Sequence, residues 1–250
     1  MAILVVLAGV AGRTGRAVGQ TLWNADDVEL VGALGKQHAG QSLSTLWGLP
    51  DIPLTVEDHL SKIVVERAVL VDFTEAASAY GRILTAVRRG WDVVVGTTGF
   101  DQAQRDAIRY QVERQGVGAA LVANFSLGAW VLEKLAAEAA RYFDQVEIME
   151  AHSATKRDRP SGTARQMAEV LGGALGRSPE LIRVHSLRLP GMVAHQEVIF
   201  GSPGQIVTLR HDVHDRSAYA SGVLTAVRKI HLFRGTVVTD LGQILEIGEG

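Results

Sequence analysis

The chain has 250 residues, 47% hydrophobic and 21% charged, an ordinary composition for a soluble globular protein and enough length for one or two domains. A formal charge of −2 gives no reason to expect nucleic acid or an anionic membrane as partner. Cysteine is absent, which excludes disulfides, thiolate nucleophiles and cysteine-ligated metal or iron–sulfur sites. No apolar run reaches membrane-spanning length, and Ala2–Val10 lacks the basic flank and cleavage pattern of a signal peptide, so a cytoplasmic enzyme is expected.

Ala2–Ala8 is a continuous apolar run, as expected of a strand buried on both faces. Gly9-Val10-Ala11-Gly12-Arg13-Thr14-Gly15 follows, then a helical stretch to about Asn24. Glycines in this G-x-x-G-x-x-G spacing let the backbone turn sharply and approach a pyrophosphate at a helix N-terminus. The pattern is weak alone; its place between a strand and a helix gives it weight. Val28–Leu34, Ala68–Phe73, Asp92–Val95 and Gly118–Ala123 read as further strands, with helical spacing over Glu75–Arg89 and Asp101–Gln115. This alternation predicts a Rossmann-like, doubly wound parallel sheet. Ligands on such sheets sit at the strand C-termini. Here those ends are Gly9–Gly15, Gly35-Lys36, Asp72-Phe73-Thr74, Gly96-Thr97-Thr98-Gly99 and Ala123-Asn124-Phe125. The second strand ends without a carboxylate for the adenosine ribose and with Lys36. Together with Arg13, that end should tolerate or prefer a 2′-phosphate.

Leu127, Val131, Leu132, Leu135 and Ala139 recur at helical spacing and predict an amphipathic helix over Leu127–Phe143. Gln145–Met149 reads as a strand feeding the run from Glu150 to Ala164, in which His152 and Lys156 stand four residues apart. Pro160-Ser161-Gly162-Thr163-Ala164 reads as a helix start with Ser161 as N-cap. The backbone N–H groups of Gly162 and Thr163 then lack an intrahelical partner, and with the helix dipole behind them they suit a carboxylate or phosphate. Lys156 adds a positive charge, and His152 a group that exchanges protons near neutral pH. A small anion held beside an acid–base pair is the expectation.

The helix from Gly162 should run to about Leu171. Ile182–Leu189, Val193–Phe200 and Gln205–Leu209 then read as strands of an antiparallel or mixed sheet in a second, α+β domain. Val223–Ile230 is helical, and Val237-Val238 followed by Leu241 reads as a strand returning to the first domain. The expected division is therefore 1–124 with 219–250, and 125–218. His195, His211, Asp212 and His214 offer no closed ligand set, so no metal is expected.

Taken together, the chain resembles the 4-hydroxy-tetrahydrodipicolinate (dihydrodipicolinate) reductases of the bacterial lysine and diaminopimelate pathway, over essentially its whole length. The residues that carry the resemblance are Gly9–Gly15, Val71–Thr74, Gly96–Phe100, Ala123–Gly128, Glu150–Ala164, Arg188–Gly191 and Arg210–Asp212, and the stretch from His152 to Ala164 is the most specific. The resemblance implies NADPH- and/or NADH-dependent reduction of a cyclic dicarboxylate with loss of water. It also implies a substrate domain whose sheet builds a homotetramer. In that reading His152 is the acid–base residue, and Lys156 is a proton donor that also faces a substrate carboxylate. Ser153, Ser161, Gly162 and Thr163 contact the substrate. Gly9, Val10, Ala11, Gly12, Arg13, Thr14, Gly35, Lys36, Gly96, Thr97, Thr98, Val122, Ala123, Asn124 and Phe125 line the cofactor. Two positions depart from the family's pattern. Ser153 stands where many members carry a second histidine, and Gly35 where an NADH-favouring acidic residue often occurs. The nucleotide fold alone would also suit another two-domain reductase or a nucleotide-sensing protein; His152 and Lys156 together favour the enzyme.

Overall fold

The computed structural model describes residues 2–247, and the chain divides into two compact units, Met1–Phe125 with Tyr219–Gly250, and Ser126–Ala218. In chain order the first unit contains β1 (Ile3–Ala8), α1 (Arg13–Trp23), β2 (Val28–Leu34), α2 (Leu43–Trp47), β3 (Val56–Glu57), β4 (Val69–Asp72), α3 (Ala76–Arg88), β5 (Asp92–Val95), α4 (Gln102–Gln115) and β6 (Ala119–Leu121). The second contains α5 (Leu127–Ala139), β7 (Gln145–His152), α6 (Gly162–Leu175), β8 (Arg183–Arg188), β9 (Ala194–Ser202) and β10 (Gln205–Val213). The chain then returns to the first unit with α7 (Ala220–Lys229), β11 (Val237–Val238) and α8 (Leu241–Leu245).

All pairings in the first sheet are parallel, in the order β11-β6-β5-β4-β1-β2-β3. The central strands are apolar on both faces because crossover helices cover both: Val5, Val6, Leu7, Ala8, Leu70, Val71 and Val93–Val95 have no exposed surface. From β1 the chain winds outward through β2 and β3, then restarts at β4 on the other side. The carboxyl ends of β1 and β4 thus meet where the winding reverses, the place where such sheets open a crevice. Leu241 belongs to a helix rather than to the returning strand. Asp240 caps that helix by accepting the Gly242 N–H at 2.7 Å, and Asp240 and Gln243 close a capping box.

The second sheet is mixed, in the order β10-β9-β7-β8. β9 runs antiparallel to both β7 and β10, but β8 is parallel to β7, because α6 carries the chain back to the starting end in a right-sized β-α-β crossover. Val146 and Ile148 of β7 pack with Val198, Phe200, Leu132, Ala136, Met167 and Leu171 in the core beneath α5 and α6. By the period of two, Glu150 and His152 lie on that same face. The buried stripe of α5 differs from the one its large side chains predict. Ala129, Leu132 and Ala136 face inward, whereas Val131 and Leu135 are 44% and 52% exposed. Small alanines let the helix approach the sheet, and a reading weighted to bulky residues misses that. The helix also stops at Ala139, and Phe143 beyond it stacks at a tilt on Phe200 with ring centroids 5.8 Å apart.

Candidate active site

In the first unit the site is made mainly of backbone. Gly9 has φ +90°, and a Cβ there would stand 2.5 Å from the Phe73 carbonyl oxygen at the neighbouring end of β4. A Cβ on Gly15 would lie 2.1 Å from the Gly9 carbonyl oxygen, so the turn closes only with bare backbone at both positions. Gly12 N–H donates to that same carbonyl at 2.9 Å and leads into α1, whose first turn has no acidic residue to compensate the positive end of its dipole. Asp72, with no exposed surface, organises the next loops. One carboxylate oxygen accepts the Thr74 N–H at 3.0 Å, the Thr74 hydroxyl at 2.7 Å and the Thr97 hydroxyl at 3.0 Å. The other accepts Arg82 Nη1 at 2.7 Å.

A cleft of about 900 Å³ opens over these strand ends, lined among others by Gly9, Ala11, Gly12, Gly35, Lys36, His38, Asp58, Thr74 and Arg82. A glycine cradle beside an uncompensated helix N-terminus fits a dinucleotide pyrophosphate. Of the residues expected to hold the cofactor, Gly9, Ala11, Gly12, Gly35 and Lys36 line this cleft. Val10 is fully buried, and its carbonyl accepts Trp47 Nε1 at 2.9 Å, which makes it part of the scaffold. Arg13 is exposed at the first position of α1, followed by Thr14, and neither lines the cleft. Gly96, Thr97 and Thr98 follow β5, with Thr97 buried against Asp72. Val122, Ala123, Asn124 and Phe125 follow β6, with the Phe125 ring tilted on Phe73 at 6.0 Å. Sequence reasoning missed His38, Asp58 and Arg82. The stretch that supplies Asp58 has only short elements, and Arg82 reads as one of several polar residues on a helix.

In the second unit the site is made of side chains. Glu150 has no exposed surface; its Oε2 holds His152 Nδ1 and its Oε1 accepts Arg188 Nη2 at 2.7 Å. Burial alone would raise the Glu150 pKa, but hydrogen bonds from Arg188, Ser186 and His152 outweigh it and keep the carboxyl below its ordinary range. An ionised carboxylate only accepts, so the proton on the imidazole sits at Nδ1 and Nε2 carries the lone pair. The His152 pKa is itself lowered, chiefly by burial, with Lys156 and Arg188 adding repulsion and Glu150 opposing. Lys156 Nζ pairs with Asp158 Oδ1 at 2.9 Å, and the Lys156 N–H donates to the Ser153 carbonyl at 3.0 Å. The Ser153 hydroxyl lies 3.1 Å from that of Thr155.

Ser161 caps α6 as the sequence predicts, its Oγ accepting the Ala164 N–H at 3.2 Å. That hydroxyl is buried in the cap, so Gly162 and Thr163 are the first-turn N–H groups left for a ligand. The strand ending at His152 and the loop to Ser161 thus bring His152, Ser153, Lys156, Gly162 and Thr163 into one short connection. Of the histidines later in the chain, His195 meets His214 edge-on with ring centroids 6.0 Å apart, and His195 and His211 each have a further side-chain partner. His195 Nδ1 pairs with Asp212 at 2.6 Å, while His211 Nε2 approaches the Ser126 hydroxyl at 3.4 Å. Among the described residues no group of three or more His, Asp or Glu could hold a metal ion.

A doubly wound nucleotide-binding unit, followed by one in which a histidine and a lysine stand on the connection to a helix N-terminus, defines a two-domain reductase. The chain belongs to the dihydrodipicolinate reductase family: residues 3–125 match the family's N-terminal model and residues 128–245 its C-terminal model. It is 40% identical to the 4-hydroxy-tetrahydrodipicolinate reductase of Moorella thermoacetica, over 98% of each chain. It is 42% identical to that of Trichormus variabilis, over 91% of this chain and 93% of the other. The solved structure of a dipicolinate-bound dihydrodipicolinate reductase from Paenisporosarcina sp. TG-14 matches with a TM-score of 0.82 at 30% identity, covering 98% of this chain and all of that one (100%). An amine dehydrogenase from Mycobacterium smegmatis, at TM-score 0.66 and 14% identity, shares the fold.

Proposed function

We propose that the protein reduces 4-hydroxy-tetrahydrodipicolinate to tetrahydrodipicolinate and water, in diaminopimelate and lysine biosynthesis, with NADPH or NADH as reductant. One observation carries the reading: His152, half-buried against Glu150, and Lys156 lie on the connection that ends at the α6 N-terminus. Reduced nicotinamide supplies a hydride when bound. The pyrophosphate belongs at Gly9–Thr14, with Gly35-Lys36, Gly96–Thr98 and Val122–Phe125 as the further cofactor contacts.

The substrate's carboxylates are held by the N–H groups of Gly162 and Thr163 and by the charge of Lys156, with Ser153 offering a neutral hydroxyl, while Ser161, buried in its cap, holds the helix start that presents those N–H groups. Net reduction consumes one proton and releases one water. Lys156 is the ammonium placed to deliver a proton. Nε2 of His152, its ring orientation held through Nδ1, exchanges the other that moves as the hydroxyl leaves. Residues 1–124 with 219–250 serve as the cofactor domain, and 125–218 as the substrate and assembly domain. The face of the second sheet turned away from its helices bears Leu187 and Ile206, 41% and 72% exposed, and supports a homotetramer joined there. A cytoplasmic location accords with the pathway, and among the described residues no helix is long and apolar enough to cross a membrane. The test is NADPH oxidation by the pure protein with freshly generated substrate. Turnover with simple oxo acids but not with this compound would overturn the assignment.

A further inference from the structure

Arg188 lies on β8, far in sequence from the acid–base pair, and its side chain is 1% exposed. Its Nη2 donates to two acceptors: Glu150 Oε1 at 2.7 Å and the Asp158 carbonyl at 2.7 Å. The first acceptor's other oxygen holds His152 Nδ1, and the second belongs to the residue whose carboxylate pairs with Lys156 Nζ at 2.9 Å. One guanidinium thus stands between both groups. The register explains the placement: Arg188 is opposite His152 in the parallel β7–β8 ladder, with Ser186 opposite Glu150. Nη1 donates to the Leu187 carbonyl at 2.6 Å, while Nε is buried without a partner. A buried cation with an unsatisfied donor is a poor way to gain stability, since an apolar side chain would fill the same volume at lower cost.

We propose that Arg188 is a positioning residue that sets His152 and Lys156 as one unit, through the Glu150 carboxylate on one side and the Asp158 carbonyl on the other. This rests on the reading of His152 and Lys156 as the acid–base pair. Arg188 keeps Glu150 ionised and oriented, which fixes the imidazole with its proton on Nδ1 and its lone pair on Nε2. The same group anchors the loop that bears Lys156, so the distance from lysine to histidine follows a single strut. The charged groups facing His152 are Glu150 on its own strand, Lys156 on the loop and Arg188 on β8.

The experiment pairs nitrogen-15 NMR of the histidine rings in the protein alone with steady-state kinetics. The single variant Arg188→Met removes the guanidinium and leaves Glu150 in place, so a change at His152 reports on Arg188 and not on the loss of the carboxylate that holds Nδ1 directly. His152 should show the Nδ1–H tautomer in the wild type and shift to Nε2–H in the variant. Its kcat/KM should fall about 10²-fold, with kcat lowered and KM raised, the effect expected when reacting groups lose their alignment by about an ångström. Arg188→Lys keeps a buried cation but replaces the planar fork by a point charge, and should lower kcat/KM by roughly tenfold. It decides the case should Arg188→Met not fold, since kcat/KM within threefold of wild type in Arg188→Lys would then overturn the inference. An unchanged tautomer, or kcat/KM within threefold of wild type in the folded variant, overturns the inference. A tautomer shift in a protein that never turns over the substrate upholds the strut while sinking the functional reading.

Discussion

The two units differ in the material of the anion sites proposed for them. In the first, the work falls to backbone: Gly9 and Gly15 are required because a single added carbon would collide with a carbonyl. In the second, the helix N-terminus has room to spare, since a Cβ on Gly162 would meet only Arg165 Nη2 at 3.9 Å. There the demands fall on charged side chains held from below. A cofactor shared by many folds asks only for close approach to a phosphate. A reacting substrate asks for proton donors at defined places, and those need partners of their own.

The largest expected effect tests the side-chain half. His152→Ala should lower kcat by about 10²–10⁴-fold, the usual contribution of a positioned acid or base. Lys156→Ala should lower kcat and raise KM as well, because the proposed function gives the lysine two roles, proton source and carboxylate partner. Near-normal turnover in both would remove the basis for treating the second unit as the chemical one.

Next in size is a contrast between glycines. Gly15→Ala forces its methyl into the Gly9 carbonyl and should cost about 1–3 kcal/mol, with nucleotide affinity lost before substrate affinity. Gly162→Ala adds a carbon in open space at a helix start and should leave stability within about 0.5 kcal/mol of wild type. Thermal unfolding and a fluorescence titration with NADPH measure both. Equal losses in the two variants would break the contrast.

A smaller effect concerns pH. The folded state lowers the His152 pKa, so folding favours its neutral form. That contribution is fully present above the ordinary value near 6.5 and is lost as pH falls through the lowered one. The stability margin of wild type over His152→Gln should therefore narrow in urea unfolding as pH drops below about 6.5. Glu150, also lowered, contributes in a separate window, present above its ordinary value and lost at more acid pH. A margin that widens on acidification would show that the half-buried imidazole is held charged.

Much of this was legible in the sequence because some signals are local. The apolar runs from Ile3, Val28 and Asp92 are strands at or near the predicted limits, and Ser161 caps the helix it announces. What escaped depends on partners distant in the chain. Arg188 lies 38 positions beyond Glu150 and becomes its partner only because β8 returns parallel to β7. The inward alanines of α5 and the contribution of Asp58 to the cleft were equally invisible, one set by how close a helix sits, the other by a strand of two residues.

The smallest expected effect sharpens the first unit's half of the comparison, because it asks whether that site uses side chains at all. NADPH differs from NADH by a 2′-phosphate, and β2 ends in Gly35 with Lys36 exposed on the cleft wall beside His38. The structure adds a carboxylate that the strand end lacks, since Asp58 lines the same cleft. A hydrogen bond from Lys62 keeps Asp58 ionised, below its ordinary pKa, and Lys62 Nζ stands 2.8 Å from it, offsetting its charge. NADPH should therefore serve at least as well as NADH. Lys36→Ala should raise KM for NADPH about two- to fivefold, the range of a solvent-exposed ion pair worth roughly 0.2–1 kcal/mol, and leave NADH nearly unchanged. The difference should shrink in high salt, which screens exposed charges. A clear preference for NADH that Lys36→Ala leaves intact would place the selection elsewhere in the cleft, with Asp58→Asn the replacement to try first.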